Sequence, residues 1–377
     1  MKILFVVDQF KSGGNGTTIS AERFVSCLRN LGHQVRVVTT GHSCEDLYIV
    51  PERYVFLATE FARKQGLLFA KPDKKVLTEA IEWCDIVHFV MPFAISKRGV
   101  KIAKKLKKPY TAAFHVQAEN ITYNIGLGRS KLARNIVYYF LKRKFYRRVE
   151  NIHCPSEFIA NELRKHKYKG NLHVISNGVN SVFKPKKCEK PDEIKDKIII
   201  TMVGRHSAEK RQDLLIKAVD YSKYKDNIQL VFAGKGPKTK YYENMGQHLK
   251  NKPVFTFFNQ ERLVKLLQYS DLYVHTADVE IEAISCLEAL ATGLVPIISD
   301  SPQSATKQFA LTLDSLFESD NIKDLANKID YWIEHKEEKE EYSKKYAKFA
   351  EEFNLEKSVK KFEEMLECAI MQHQNQI

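Results

Sequence analysis

The fold is decided by the opening of the chain: Met1-Lys2-Ile3-Leu4-Phe5-Val6-Val7-Asp8, followed by Lys11-Ser12-Gly13-Gly14-Asn15-Gly16-Thr17-Thr18. An unbroken apolar run at Ile3–Val7 is what a strand covered on both faces requires. The glycines that follow lead into 3.6-residue periodicity over Ile19–Leu31, a helix start. Strand, glycine turn and helix are the opening of a parallel α/β sheet. Working outward, apolar runs at Val35–Thr39, Ile86–Val90, Tyr110–Phe114, Ile152–Cys154 and Leu172–Ile175 predict further strands, with helical patterns between them as in Lys97–Leu106.

From Ser181 to Glu193 two prolines and many charges predict a linker. The pattern then restarts, with strands predicted at Ile198–Val203, Gln229–Ala233, Val254–Phe257, Leu272–His275 and Val295–Ile298. A tail rich in Glu, Lys and aromatic residues, Asn321–His373, is expected to be helical. The expected organisation is a first Rossmann-like domain over 1–180, a linker over 181–196, a second over 197–345, and a helix over 346–377 returning to the first domain. The two doubly wound domains are expected to face each other across a cleft. In such sheets ligands bind beyond the carboxyl ends of the strands.

The 377 residues include 60 Lys and Arg against 46 Asp and Glu, with 44% hydrophobic and 28% charged residues. That length favours two domains, and the composition excludes disordered, collagenous and coiled-coil classes. No charge-free apolar run approaches the roughly 18 residues that span a bilayer. The first apolar run is too short for a signal peptide. Seven scattered cysteines without a Cys-x-x-Cys pair argue against disulfides and zinc, and for a reducing compartment. Charge is unevenly spread. Residues 1–200 hold 36 basic and 18 acidic side chains, residues 201–377 hold 24 and 28, and 101–150 alone hold 13 and 2. One half of the chain is therefore suited to an anionic surface, nucleic acid or acidic lipid.

Three segments carry candidate chemistry. The glycine loop lets backbone amides approach an anion at a helix N-terminus, although it is neither Gly-x-Gly-x-x-Gly nor a P-loop, and a tight turn alone would explain it. In Gly204-Arg205-His206-Ser207-Ala208-Glu209-Lys210, a guanidinium and an ammonium leave a strand five residues apart and can grip a pyrophosphate; a solvated loop with a Glu209 ion pair is the alternative. In Glu280-Ile-Glu-Ala-Ile-Ser-Cys-Leu-Glu288-Ala-Leu-Ala-Thr-Gly293, a carboxylate in the turn precedes a second one in an apolar helix. A buried carboxylate needs partners, and ribose hydroxyls would serve.

On the glycine loop, Phe114-His115, Gly204-Arg205-x-x-x-Glu-Lys210 and Glu280-x7-Glu288, the chain resembles the retaining glycosyltransferases of family 4, which have the GT-B fold. Phe114-His-Val-Gln-Ala-Glu-Asn-Ile-Thr-Tyr-Asn124, and Glu280–Leu290 with Ser301-Pro-Gln-Ser-Ala-Thr306, narrow the likeness to bacterial diacylglycerol α-glucosyltransferases, which make monoglucosyl diacylglycerol from UDP-glucose. The resemblance implies that Arg205 and Lys210 bind the diphosphate, Glu288 the ribose and Glu280 the 3- and 4-hydroxyls of the donor sugar. It implies further that His115 meets the 6-hydroxyl and that Gly14 and Gly16 close on the phosphates. Gly234 and Asn259-Gln260 are expected to line the nucleotide pocket. Ile281 and Glu282 replace the family's usual Gly-Phe beside the sugar. The sequence contains no Asp-x-Asp pair, so protein cations rather than a metal are expected to stabilise the leaving group, and no cofactor is expected.

Lys131-Leu-Ala-Arg134-Asn-Ile-Val-Tyr-Tyr-Phe-Leu-Lys142-Arg143-Lys144-Phe-Tyr-Arg147-Arg148 mixes aromatics and cations at helical spacing, and Phe61–Lys75 is a second basic–apolar stretch. Either suits a lipid interface, and each cation near an anionic leaflet contributes about 1 kcal/mol. The expectation is a cytoplasmic enzyme docked on the inner face of the membrane, with a UDP-sugar donor, a diacylglycerol acceptor and anionic lipids as partners. The same fold acting on a glycolipid, wall polymer or protein is the alternative. No zinc, homeodomain or RNP signature supports a nucleic-acid partner. A glycosidase would use Glu280 and Glu288 as paired carboxylates, but has no pyrophosphate for Arg205 and Lys210 to hold.

Overall fold

The structure of the chain is a computed structural model that describes residues 1–11, 16–42, 45–54, 59, 67–128 and 130–376. It divides into two units, Met1–Gly178 with Leu355–Ile377, and Val179–Asn354.

In the first unit the described order is β1 (Lys2–Gln9), α1 (Gly16–Asn30), β2 (Gln34–Thr40), β3 (Leu47–Ile49), α2 (Lys74–Trp83), β4 (Ile86–Phe89), α3 (Ala94–Lys105), β5 (Tyr110–Ala113), α4 (Ala118–Asn124), α5 (Lys131–Lys144), β6 (Asn151–Cys154), α6 (Glu157–Lys165) and β7 (Asn171–Val174). The strands pair in parallel in the order β3-β2-β1-β4-β5-β6-β7. The winding therefore reverses between β1 and β4.

The second unit holds β8 (Ile198–Val203), α7 (Gln212–Val219), β9 (Ile228–Ala233), α8 (Thr239–Met245), β10 (Val254–Thr256), α9 (Gln260–Tyr269), β11 (Leu272–His275), α10 (Ile284–Ala291), β12 (Pro296–Ser299), β13 (Leu316–Phe317), α11 (Ile322–Glu334) and α12 (Lys336–Ala350). Its parallel order is β10-β9-β8-β11-β12-β13, with the reversal between β8 and β11.

The central strands are where apolar runs place them, because burial on both faces writes itself as an unbroken apolar string. The outer strands β3 and β13 have three and two residues, too few to show any period, and the sequence does not announce them.

Two boundaries differ from expectation. Residues 181–196 are part of the second unit rather than a free linker. Phe183 is buried in that unit's core, and Lys190 donates to Asp271 Oδ2 at 2.6 Å and to the Lys197 carbonyl at 2.8 Å. Likewise, Tyr346 and Ala350 are buried in the second unit's core, so the returning segment starts at Leu355 and not at residue 346. Prolines and charges interrupt periodicity without preventing one aromatic from anchoring the segment.

The last helix, α13 (Leu355–Gln374), completes the first unit's core through Leu355, Val359, Phe362, Met365, Leu366 and Ala369. Gly178 takes φ +79°, and a Cβ there would lie 2.6 Å from Leu355 Cα, so glycine is required where the chain leaves the unit. Phe362 is the centre of this packing. Its ring centroid lies 5.1 Å from Phe24, 4.8 Å from His88 and 5.6 Å from His153. Phe362→Ala is expected to cost about 3–5 kcal/mol, measured as a loss of unfolding free energy in urea.

Candidate active site

The reversal between β8 and β11 in the second unit places the segments following these two strands side by side, the position where doubly wound sheets bind ligands. After β8, Arg205 Nη2 donates to Glu209 Oε1 at 2.9 Å, and Ser207 Oγ donates to the same oxygen at 2.6 Å. Burial raises the pKa of Glu209, but Arg205 and Ser207 more than offset this and hold it below the usual carboxylate range.

Lys210, at the end of this segment, donates to Glu280 Oε1. The same oxygen lies 3.0 Å from Nε2 of His275, the last residue of β11. A carboxylate only accepts, so Nε2 carries the proton. Nδ1 then accepts from Tyr273 Oη at 3.1 Å. Tyr273 and His275 are two residues apart and so share one face of the strand. Burial disfavours the Glu280 anion, yet Lys210 and then His275 hold its pKa down at about 2. Burial also lowers the pKa of His275, so the imidazole is a neutral donor to a fixed charge.

The segment between β11 and α10 is pinned from several sides. Thr276 Oγ1 lies 2.8 Å from the carbonyls of both Lys210 and Arg211. Ser301 Oγ donates to the Asp278 carbonyl at 2.6 Å, and Ala305 N donates to the Glu280 carbonyl at 3.0 Å. Arg211, in a left-handed conformation at φ 56°, pairs with Asp213 at 3.2 Å, with Asp278 at 3.1 Å and with Asp320. α10 then starts after Ala283, also left-handed at φ 66°. Glu288, five residues on, is buried.

The glycine turn after β9 holds the Arg205 segment from the other side. Gly204 N donates to the Ala233 carbonyl at 3.0 Å, and His206 N donates to the Lys235 carbonyl at 3.2 Å. A Cβ on Gly234 would fall 2.0 Å from the Gly204 carbonyl oxygen, and one on Gly236 would fall 2.2 Å from that of His206. These glycines are therefore required by backbone approach. Asn259 and Gln260 follow β10 and are exposed. Asn259 Oδ1 caps α9 by accepting from Arg262 N at 3.0 Å, so that oxygen serves the helix. Ile281 is partly exposed and Glu282 is buried.

The other expected positions lie in the first unit. Gly14 is outside the described residues, as is part of the Phe61–Lys75 stretch. Gly16 opens α1, and a Cβ there would meet nothing within 4 Å among the described residues. His115 follows β5, its ring 5.4 Å from that of His153. Burial, then His153, lowers the pKa of His115 to about 3. Sequence reading passes over Asp8, the acid near the end of β1. It is buried, accepts from Ala70 N at 2.9 Å, and lines a small cavity with Thr17, Thr18, Met91 and Phe93. Burial pushes its pKa up to about 7. An acid at the carboxyl end of an apolar strand is the signal that could have found it.

The seven cations expected to meet lipid separate into two sets. Arg134 turns inward, 3.8 Å from Glu119 and donating to the Gly128 carbonyl at 3.0 Å. Lys142 donates to the His166 carbonyl at 2.7 Å and sits over the Tyr168 ring. These two are structural, because Glu119 and the end of α6 need partners. Lys131, Arg143, Lys144 and Arg147 are exposed, and Arg148 is partly exposed.

Two family models match, "Glycosyltransferase Family 4" over residues 14–182 and "Glycosyl transferases group 1" over residues 168–350. The chain belongs to the family 4 glycosyltransferases. Alpha-monoglucosyldiacylglycerol synthase of Streptococcus pneumoniae is 26% identical over 80% of this chain and 72% of its own length. A GDP-mannose-dependent alpha-mannosyltransferase of Corynebacterium glutamicum is also 26% identical, over 79% of this chain and 72% of its own length. Among solved structures, Anabaena HepE in complex with UDP-glucose superposes with TM-score 0.75 at 15% identity, covering 98% of this chain and 100% of that one, and gives the GT-B fold. The catalytic domain of cholesterol-alpha-glucosyltransferase from Helicobacter pylori is 51% identical over 42% of this chain and 99% of that one, with TM-score 0.41.

Two variants of this glycosyltransferase test the geometry. Gly236→Ala must displace the Arg205 segment; transferase activity is expected to fall about tenfold or more, and the melting temperature to fall by several degrees while the chain stays folded. Asp8→Asn probes a buried acid. The unfolded chain releases this proton near pH 3.8 and the folded chain near 7. The folded state therefore loses stability as pH rises between those values, and the penalty is absent below them. Unfolding free energies measured across that window are expected to show Asp8→Asn gaining on the native chain by a few kcal/mol as pH rises.

Proposed function

We propose that this glycosyltransferase moves glucose from UDP-glucose to the 3-hydroxyl of a 1,2-diacylglycerol at the cytoplasmic face of a membrane, with retention of the anomeric configuration. The observation that carries the reading is that, at the reversal point of the second sheet, Arg205 is held by Glu209 and Lys210 by Glu280. The likeness to alpha-monoglucosyldiacylglycerol synthases supports the lipid acceptor.

Chemically, the bond between the anomeric carbon and the β-phosphate oxygen breaks as the acceptor oxygen bonds to that carbon. Negative charge collects on the departing diphosphate. Arg205 and Lys210 stabilise it without reorganising, because Glu209 and Glu280 already hold them in place. The departing phosphate oxygen takes the acceptor's proton, so no side chain need act as base. Glu280 has Oε1 committed to Lys210 and His275, and Oε2 accepts from sugar hydroxyls. Glu288 receives the ribose. Protein cations occupy the role that a metal fills elsewhere, so the chemistry needs no metal or other cofactor.

The test is UDP release from UDP-glucose with vesicles containing diacylglycerol, a glycolipid or a sterol in parallel, and with GDP-mannose as competing donor. Release that requires both UDP-glucose and diacylglycerol is expected, and Glu288→Ala is expected to lower it by at least about a hundredfold. Turnover with GDP-mannose alone would overturn the donor. Turnover with a sterol but not diacylglycerol would overturn the acceptor and leave a lipid glucosyltransferase.

A further inference from the structure

On a helix at the surface of a water-soluble unit, apolar residues face the core and cations face out. α5 departs from that arrangement on both sides. The side toward the protein carries Arg134 against Glu119, Lys142 against the His166 carbonyl, and the buried Tyr138, whose hydroxyl donates to Glu119 Oε2 at 2.9 Å. The outward side carries Leu132, Ile136, Tyr139 and Phe140, between 46 and 71% exposed. At 100° per residue these four and Arg143 form one stripe. Leu132 is the most exposed of them, and Ile125 and Leu127, just before the helix, are exposed as well.

Along the helix and the segments flanking it the exposed charge has one sign. Glu119 is buried, and the next acid in sequence is Glu150. Lys131, Arg143, Lys144 and Arg147 are exposed along the helix and just beyond its end. A second copy of this face would bring like charge against like charge. A nucleic-acid backbone would engage the cations but has no place for Leu132 and Ile136. Aliphatic and aromatic side chains ringed by cations match an anionic bilayer, where apolar groups enter the acyl boundary and cations stay with the phosphates.

We propose that α5 is the element by which the chain enters an anionic bilayer surface, with Leu132, Ile136, Tyr139 and Phe140 inserted and Lys131, Arg143, Lys144 and Arg147 on lipid phosphates. This rests on the lipid-acceptor reading above and adds the surface and the manner of docking.

The experiment is cosedimentation of the full chain with vesicles of phosphatidylcholine, alone or mixed with phosphatidylglycerol, without sugar nucleotide or diacylglycerol. The native chain is expected to bind the mixed vesicles and to lose binding with added salt. The combined Leu132→Gln, Ile136→Gln and Phe140→Gln variant, and separately the combined Lys131→Gln, Arg143→Gln, Lys144→Gln and Arg147→Gln variant, are each expected to bind about tenfold or more weakly, with unchanged melting temperature. In an Ile136→Trp variant the emission of the introduced indole, taken as the difference from the native chain, is expected to shift to the blue on mixed vesicles. The proposal is overturned if the native chain does not bind mixed vesicles, if the apolar variant binds as the native chain does, or if the introduced indole's emission is unmoved. It is equally overturned if the native chain is a dimer that the apolar variant splits, or if duplex DNA competes fully for the same face. Because no substrate is present, failure here leaves UDP release untouched, and failure of UDP release leaves the vesicle result readable.

Discussion

One carboxylate organises the second unit. Glu280 is buried, and an isolated buried anion is costly enough that it would ordinarily take up a proton. It stays charged because Lys210 and His275 both donate to Oε1. The two donors come from opposite sides of the sheet reversal, Lys210 after β8 and His275 at the end of β11, so this charge joins the Thr276 hydroxyl and the Arg211–Asp278 pair in tying together the segments that follow the two strands. Deleting either donor would leave the anion partly compensated, which costs far more than the net worth of the pair. The left-handed residues Arg211 and Ala283 on either side mark what the chain accepts to bring these groups together. Each adopts a backbone conformation that costs a non-glycine residue about 1–2 kcal/mol.

The first unit repeats the winding with opposite electrostatics. At its corresponding reversal, between β1 and β4, the pKa of Asp8 is raised to about 7 by burial. Nearby, burial keeps His88, His115 and His153 neutral by lowering their pKa values. His153 Nε2 donates to the Ile175 carbonyl at 2.7 Å and His88 Nδ1 pairs with Thr111 Oγ1 at 2.8 Å. His88 and His153 pack against Phe362, and His115 packs against His153. Two sheets with the same topology thus hold, at equivalent places, a network of charges in one case and a set of neutralised titratable groups in the other. Topology fixes where a site lies; the partners brought by neighbouring loops fix its charge.

How far these features can be read from sequence depends on how local they are. The parallel strands are legible because burial on both faces is a property of consecutive residues. Arg205, Lys210, Glu280 and Glu288 could be named as candidates because their spacing lies within two short segments, and packing joins Lys210 to Glu280. Tyr273 and His275 are not, although both sit in a correctly expected strand. Their significance lies in sharing a face of β11 that meets Glu280, a fact of three-dimensional pairing. Arg211 hides for the same reason, its partners Asp278 and Asp320 being distant in sequence. The boundary at Leu355 is hidden because Tyr346 and Leu355 both look like helix residues, and only packing tells which core receives each.

The same distinction governs α5. Composition shows a basic, aromatic helix, and a count of cations treats all seven as equivalent. Packing divides them: Arg134 and Lys142 are needed inside, where Glu119 and the His166 carbonyl would otherwise lack charge partners or donors. Tyr138, Arg134 and Lys142 fill the inward side, and Leu132, Ile136 and Phe140 lie on the other. Their exposure follows from that allocation, and covering roughly four large apolar side chains is worth several kcal/mol to whatever surface receives them. A helix anchored inward by one buried aromatic and two cations, with large apolar side chains facing outward, is held in place by the unit and left incomplete without a partner.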